Sequence, residues 1–208
     1  MHVMWIGGWG VAPECLRPAA ERFLPGASHA FFPPTDSAAE VSAAGELVVG
    51  WSLGAWRILA AAARGVRFRR QVVLLAPFVA FCSEFGLGGR CSQTQVRWLA
   101  RWLQRDAPAA LQDFYSRAGL GTAPAQLPCA VGELLAGLEV LGRDASPALR
   151  DFAAAGLPAD WQAVVGDNDP LLEATGVTRA LPGCRVLAGA GHRAEDLIEA
   201  IATHQYAV

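Results

Sequence analysis

Short apolar runs alternate along the chain with segments of helical periodicity. The runs are apolar along their whole length, which is typical of parallel strands covered on both faces. They predict strands at His2–Ile6, Ser28–Phe32, Glu46–Gly50, Gln71–Ala76, Trp161–Gly166 and Arg185–Ala188. The segments between them predict helices at Pro13–Phe23, Leu53–Ala63, Gly176–Ala180 and Ala194–Thr203. This alternation favours an α/β fold built on a mostly parallel sheet with helices on both faces.

One long segment breaks the alternation. From residue 81 to residue 152 the pattern contains no clear strand and predicts helices at Ser92–Gln104, Ala107–Ala118 and Val131–Leu141. Glycine and proline residues concentrate in the loops that join these helices. We therefore assign residues 81–152 to a helical cap insertion over one end of the sheet. Residues 1–80 and 153–208 form the predicted core.

The composition predicts one globular domain. Of the 208 residues, 53% are hydrophobic, which is enough for a sizeable core. The net charge of −2 gives no general attraction to nucleic acid or to a membrane surface, although all 17 basic residues are arginine. The sequence has no signal-peptide pattern and no apolar run of about 18 residues. We therefore expect a cytoplasmic protein that does not span a membrane.

The five cysteines are scattered and include no Cys-x-x-Cys pair. That spacing argues against a zinc site and against a disulfide framework. We expect free thiols, and neither a metal nor a cofactor.

The pentapeptide Gly-Trp-Ser-Leu-Gly at residues 50–54 fits the pattern Gly-x-Ser-x-Gly. A predicted strand precedes it and a predicted helix follows it, as in a nucleophile elbow. The flanking glycines suit a tight turn that would raise the Ser52 hydroxyl above the edge of the sheet, at the start of a helix. Ser52 is therefore a candidate nucleophile. The alternative is that Ser52 is only a small polar residue in a Gly-rich chain.

A serine nucleophile needs a base, and the base needs an acid that orients it. Of the four histidines, His192 is the one in a loop after a late predicted strand. Asp167 and Asp169 follow the fifth predicted strand, between serine and histidine in chain order, where the acid is expected. Spacing alone does not choose between them. The other aspartate is expected to hold a turn or to cap a helix.

An oxyanion hole needs two N–H donors aimed at the developing negative charge. The backbone N–H of Leu53, directly after the serine, is one candidate donor. The second is expected from the loop Ile-Gly-Gly-Trp-Gly at residues 6–10, whose glycines permit a tight turn. A simple Gly-rich connection between strand and helix is the alternative interpretation of that loop.

The motifs GGWG, GWSLG, GDNDP and GAGH occur in this order, and together they resemble the α/β-hydrolase superfamily over nearly the whole chain. Three stretches, GGWGVAPECL, GWSLGA and GLEVLGRDASPAL, are similar to the pimeloyl-acyl-carrier-protein methyl ester esterases of biotin synthesis. The resemblance implies an α/β-hydrolase fold and a serine esterase. It implies Ser52 as nucleophile, His192 as base and Asp169, rather than Asp167, as acid.

The resemblance also implies roles for residues around this triad. The backbone N–H groups of Trp9 and Leu53 match the oxyanion donors, and Trp51 matches a tryptophan that lines the acyl pocket. This sequence departs from the family at two points. Gly7 replaces the histidine that usually precedes Gly8. The sequence starts at the strand before the oxyanion loop, without the two strands that usually precede it, so about six strands rather than eight are expected.

The first predicted cap helix has a basic face. Arg97, Arg101 and Arg105 follow one another at i, i+4 and i+8. A solvated face of an amphipathic helix is one explanation of this pattern. The other is a docking strip for an acidic acyl carrier protein, the partner that the resemblance implies.

Aromatic residues accompany this basic face. Trp98 and Trp102 fall on an adjacent face of the same helix, and Phe114 lies in the next one. Together with Trp51 they are the expected substrate-binding residues. They would line an apolar acyl channel above Ser52.

These observations predict a serine carboxylesterase that acts through an acyl-enzyme. The expected substrate is the methyl ester of pimeloyl-acyl-carrier protein, with any other short or medium acyl ester as the alternative. An acyltransferase, in which an alcohol or thiol replaces water, stays open. So does a non-catalytic binding protein that keeps the fold, although such a protein has no need of nucleophile, base, acid and oxyanion donors together.

Overall fold

The computed structural model describes residues 1–205. Its strands are β1 His2–Ile6, β2 Ser28–Phe32, β3 Leu47–Trp51, β4 Gln71–Leu75, β5 Ala80–Cys82, β6 Gly88–Cys91, β7 Trp161–Gly166 and β8 Cys184–Leu187. Six of them form one sheet in the order β2-β1-β3-β4-β7-β8, and every neighbouring pair is parallel. The predicted six-stranded parallel sheet is therefore confirmed.

The helices are α1 Arg17–Phe23, α2 Asp36–Ser42, α3 Leu53–Ala63, α4 Gln93–Arg105, α5 Ala107–Arg117, α6 Val131–Leu141, α7 Pro147–Ala154, α8 Ala174–Ala180 and α9 Ala194–Gln205. Short 3-10 helices lie at Pro13–Leu16 and Ser83–Phe85. Helices α1 and α9 contact each other and the sheet. Helices α2, α3, α7 and α8 form a second contacting group that also packs on the sheet. The sheet thus lies between two helical layers.

The core follows from the apolar runs. Every residue of β3 is buried, as are the last four residues of β4. Strands covered on both faces have no solvated side on which to place polar residues, so they read as continuous apolar runs.

The parallel arrangement also positions the candidate site. In such a sheet all strands end at the same edge, where ligands bind. The glycine loop after β1, Ser52 after β3, Asp169 after β7 and His192 after β8 therefore meet at one edge.

Two predictions about the segment from residue 81 to residue 152 are corrected. Strands β5 and β6 pair in a small separate sheet, where no strand was expected. A Cβ at Gly89 would collide with the carbonyl oxygen of Phe81, so this pairing depends on a residue type that ordinarily disfavours strands. The segment also contains the start of a fourth helix, α7, which contacts α3 and α8 of the core layer.

Helices α4, α5 and α6 form the rest of this segment, and α4 contacts both of the others. Helix α4 begins with a capping box, in which Ser92 accepts a hydrogen bond from the Gln95 backbone and the Gln95 side chain accepts one from the Ser92 backbone. Asp106 caps α5 with a single hydrogen bond, which its side chain accepts from the Ala109 N–H at 3.1 Å. The first cap lies between β6 and α4, and the second lies at the junction between α4 and α5.

Across residues 1–205, none of the helices combines the length and the apolar character that crossing a bilayer requires.

Candidate active site

Ser52 sits on a strained turn between β3 and α3. Its φ of 55° and ψ of −116° lie where residues other than glycine are rare. A Cβ at Gly50 would lie 2.6 Å from Ile58 Cδ1, and one at Gly54 would collide with the carbonyl oxygen of Ile6. Only glycine fits on either side of the serine. The Ser52 N–H donates to the Leu75 carbonyl at 2.8 Å, which ties the turn to β4.

Three side chains form a continuous hydrogen-bonded chain at this turn. Ser52 Oγ lies 3.0 Å from His192 Nε2, and His192 Nδ1 lies 2.7 Å from Asp169 Oδ2. All three residues are buried, with exposures of 7% for Ser52, 2% for His192 and 1% for Asp169. The geometry suits proton transfer from the hydroxyl to a histidine whose ring orientation is fixed by the carboxylate.

The Asp169 carboxylate is itself held in place. Its Oδ1 accepts the backbone N–H groups of Leu171 at 2.8 Å and Leu172 at 3.0 Å, which leaves Oδ2 for His192. A buried carboxylate is costly without such partners. These two amide donors were not anticipated from the sequence, although an aspartate followed by proline signals a turn of this kind.

Asp167 has a different position. It is exposed, and its Oδ1 accepts the Gly189 N–H at 2.7 Å. It therefore fastens the loop after β8 rather than touching the histidine ring. The structure thus places Asp169, and not Asp167, beside His192.

The loop that carries His192 is held at close range to β7 and β3. A Cβ at Gly166 would collide with the carbonyl oxygen of Ala190, so the end of β7 and this loop can touch only at a glycine. The indole Nε1 of Trp51 donates to the His192 carbonyl at 2.9 Å. Trp51 thereby supports the histidine backbone, a role beyond the lining role predicted for it.

The glycine loop after β1 lies directly on the start of α3. A Cβ at Gly54 would lie 2.6 Å from the carbonyl oxygen of Gly7, so the two segments are in backbone contact. Leu53 is the first residue of α3, where a backbone N–H has no partner within the helix. Trp9 and Leu53 line one cavity of about 150 Å³. The two residues predicted to supply the oxyanion donors therefore line the same cavity.

Trp9 is anchored by the cap helices. Its Nε1 donates to the Leu134 carbonyl at 2.8 Å, and Phe114 packs edge-on against its ring at 4.6 Å between centroids. A Cβ at Gly137 would collide with the Trp9 ring. A lone glycine inside the apolar pattern of α6 is a sequence signal for such a close approach, but Gly137 was not among the predicted site residues.

Gly7 carries no such constraint. A Cβ there would meet its nearest heavy atom, Pro13 Cα, at 3.4 Å, which is ordinary van der Waals contact. Crowding around the Cβ therefore does not require glycine at position 7.

Two further cavities adjoin the site. The first, of about 250 Å³, is lined by Phe114 and Trp98 and reaches Leu171 beside the carboxylate. The second, of about 300 Å³, is lined by Trp51 and Tyr115. Trp102 lines neither; it packs edge-on against Trp98 at 4.7 Å. Trp98 is 47% exposed and lies at the surface end of the first cavity.

The predicted basic face of α4 is solvent-exposed along its length at Arg97, Arg101 and Arg105. Arg97 donates to the Gln93 side chain one turn away at 3.3 Å. The three guanidinium groups thus present positive charge to solvent on the outer side of the cap.

The cysteines are poor nucleophiles by comparison with an activated serine. All five are free thiols. Burial raises the pKa of Cys91 to about 11 and that of Cys82 to about 12, so both stay protonated near neutral pH. No three metal-ligating side chains gather among residues whose side chains the structure describes.

Comparisons with known proteins bear on the fold. No protein-family model matches the sequence, and no curated protein matches it. The esterase EaEST from Exiguobacterium antarcticum is similar in structure, with a TM-score of 0.75 and 16% identity over 98% of this chain and 91% of that one. A thermophilic esterase from Thermogutta terrifontis has a TM-score of 0.66 and 17% identity, over 98% of this chain and 87% of that one. MenH from S. aureus has a TM-score of 0.64 and 11% identity, over 98% of this chain and 91% of that one. The chain therefore has the α/β-hydrolase fold, as predicted.

Proposed function

We propose that this chain is a serine carboxylesterase that works through an acyl-enzyme. The observation that carries the proposal is the buried hydrogen-bonded chain from Asp169 through His192 to Ser52, with the serine held on a strained turn. The esterases among its structural neighbours agree with this chemistry.

The first half of the reaction forms the acyl-enzyme. The Ser52 hydroxyl gives its proton to His192 Nε2 while Oγ attacks the ester carbonyl carbon. The negative charge on the carbonyl oxygen is stabilised by the backbone N–H groups of Trp9 and Leu53. Protonated His192 then gives its proton to the departing alkoxide, which leaves as an alcohol. Asp169 holds the ring in orientation and stabilises its positive charge.

The second half releases the acid. Water gives a proton to His192 Nε2 and attacks the acyl carbon, and a second oxyanion forms in the same hole. The C–O bond to Ser52 breaks as the serine recovers its proton from His192. Ester and water thus yield acid and alcohol, with no external oxidant or cofactor in the balance.

The substrate that we propose is the methyl ester of pimeloyl-acyl-carrier protein, as in biotin synthesis. Support comes from the sequence resemblance and from the apolar cavity beside the triad, which Phe114 and Trp98 line. The exposed arginines of α4 would meet an acidic carrier through charge complementarity. The protein would act in the cytoplasm, on an acyl chain presented by its carrier.

The test is product analysis with purified protein. Methyl pimeloyl-carrier protein should give free methanol and the pimeloyl-carrier, and a free short acyl methyl ester should be cleaved more slowly. Turnover of free esters with no advantage for the carrier-bound one would leave a general carboxylesterase. Added alcohol or thiol that captures most of the acyl group would indicate an acyltransferase. No turnover of any ester would contradict the esterase proposal.

A further inference from the structure

The glycine loop after β1, residues 7–10, has little conformational restraint of its own. Three of its four residues are glycine, and the fourth is Trp9, whose backbone N–H is a proposed oxyanion donor. Gly10 has a φ of 70°, in the left-handed region that glycine enters at little cost and leaves as easily. Contacts from other elements must therefore hold the loop in the conformation that directs the Trp9 N–H.

The first half of the loop is held by the core. The Gly7 N–H donates to the Phe32 carbonyl at 3.0 Å, which ties the loop to the end of β2. A Cβ at Gly8 would lie 3.1 Å from Cε3 of Trp51, so the loop backbone rests on that indole ring. These contacts fix the loop before Trp9 but not after it.

The second half of the loop is held by the cap. The phenol Oη of Tyr115, in α5, donates to the Gly10 carbonyl at 3.1 Å, and both residues are buried. A Cβ at Gly10 would lie 3.0 Å from Cδ1 of Leu111, one turn earlier on the same helix. A buried carbonyl oxygen without a hydrogen-bond partner is costly, and the Tyr115 hydroxyl supplies that partner.

The Tyr115 hydroxyl is a permanent donor with a single proton. Burial raises the pKa of Tyr115 to about 12, so the phenol stays protonated near neutral pH. A phenol has one O–H to donate, and here the Gly10 carbonyl accepts it. Tyr115 is therefore suited to hold the loop rather than to donate to an oxyanion itself.

We infer that Tyr115 positions the oxyanion hole: it holds the Gly10 carbonyl and thereby fixes the loop that directs the Trp9 N–H toward the developing negative charge. This role rests on the proposed function and adds to it a positioning residue that acts through the loop. The cap insertion, which supplies Tyr115, thus contributes to the chemical step as well as covering the site.

The first test is Tyr115→Phe, which removes the hydroxyl and keeps the ring. For a p-nitrophenyl ester, kcat should fall about tenfold while KM stays within twofold, because the hole stabilises the transition state more than the bound ester. The matched control is Gln112→Met on the same helix. It removes the side-chain acceptor of the Ala123 N–H, a 3.0 Å hydrogen bond outside the glycine loop, and should keep the wild-type kcat.

A trifluoromethyl ketone measures the hole directly. Ser52 Oγ adds to the ketone carbon, the serine proton passes to His192 Nε2, and the carbonyl oxygen becomes an oxyanion while no group leaves. The matched methyl ketone binds with far less addition. Tyr115→Phe should raise the Ki of the trifluoromethyl ketone about tenfold, in step with the loss of kcat/KM, and should leave the Ki of the methyl ketone within twofold.

A second variant approaches the same contact from the loop. Gly10→Ala places a methyl group against Leu111 in a backbone conformation that only glycine adopts freely, and it should weaken the trifluoromethyl ketone selectively in the same way. Gly26→Ala is its control, since Gly26 has a φ of 84° and a Cβ there meets nothing within 4 Å. That control carries the same backbone strain without the contact and should keep wild-type inhibition.

The positioning role and the esterase proposal fail differently. Wild-type kcat and wild-type inhibition in Tyr115→Phe would overturn the role of Tyr115. Equal weakening of both ketones, or the same loss of kcat in Gln112→Met, would also overturn it, because the effect would then be a general loosening of the cap. Absence of ester turnover and of a trifluoromethyl ketone adduct in the wild-type protein would contradict the esterase itself.

Discussion

Trp51 holds the backbone of His192: its indole Nε1 donates a 2.9 Å hydrogen bond to the histidine carbonyl, and the two rings lie 6.0 Å apart. Trp51 is also the residue directly before Ser52, and both it and His192 are buried. The turn that carries the proposed nucleophile and the loop that carries the proposed base are thereby joined by one side chain. The 3.0 Å contact between Ser52 and His192 depends on both being fixed.

Trp51→Phe should therefore weaken catalysis as well as stability. It removes the indole N–H and leaves the His192 carbonyl without this partner, at a cost of about 1–3 kcal/mol. We expect kcat for a p-nitrophenyl ester to fall about tenfold. The matched control is Trp56→Phe in α3, which removes an indole hydrogen bond to the Val79 carbonyl, away from His192. Equal losses of kcat in both variants would contradict a positioning role for Trp51.

Gly54→Ala should disrupt the elbow. The added methyl group would collide with the Ile6 carbonyl oxygen, so the loop after β1 must move away from α3. We expect activity to fall at least a hundredfold and thermal unfolding to shift down by several degrees. Gly132→Ala is the control, since a Cβ at Gly132 in α6 meets nothing within 4 Å. Wild-type activity in Gly54→Ala would show that the close approach is not required.

Replacing each of the two aspartates after β7 by asparagine should affect ester turnover to very different extents. Asp169→Asn leaves an amide beside His192, favours the wrong ring tautomer and should lower turnover by roughly 10³–10⁴. Asp167→Asn keeps an oxygen that can accept the Gly189 N–H and should be mild. Steady-state kinetics on one p-nitrophenyl ester measure both. The reverse order of effects would show that the acid is Asp167.

The comparison of sequence with structure shows which features are local. The Ser52 elbow was predictable because its requirement is local: glycines where a side chain would collide, between a strand and a helix. The strands of the main sheet were predictable because burial on both faces makes them apolar throughout. Their predicted ends differ from the observed ones by one residue at β3, β4 and β8.

Features that depend on contacts between residues distant in the sequence were harder to predict. The sequence spacing left Asp167 and Asp169 equivalent, because the choice depends on how the loop after β8 returns to β7. Strands β5 and β6 were missed because both are short and β6 begins with two glycines, so their pairing depends on neighbouring structure. Helix α2 was also not predicted, although Thr35 caps it through the Ala38 N–H.

The basic face of α4 is tested by Arg101→Glu. If it docks an acidic carrier, the substitution should lower kcat/KM for a carrier-bound ester mainly through slower association. Hydrolysis of a p-nitrophenyl ester should stay unchanged. Added salt should reduce the difference in kcat/KM between Arg101→Glu and wild type. Salt screens the attraction between the arginines and the carrier, since the Debye length is about 10 Å at 0.1 M. Arg143→Glu, the same change on an exposed arginine outside this face, is the control.

Two outcomes would contradict carrier docking on this face. Equal losses on carrier-bound and small esters would indicate a damaged cap. Wild-type rates on both would leave the arginines as a solvated helix face.

The most direct test of the central claim, that Ser52 is the nucleophile of an ester hydrolase, is covalent labelling with a fluorophosphonate. Intact-mass measurement should show one adduct on the wild-type protein, and peptide mapping should place it on Ser52. Ser52→Ala should take up no label and lose ester hydrolysis, while its circular dichroism and melting temperature match wild type. Labelling at another residue, or ester turnover by Ser52→Ala within tenfold of wild type, would contradict the account.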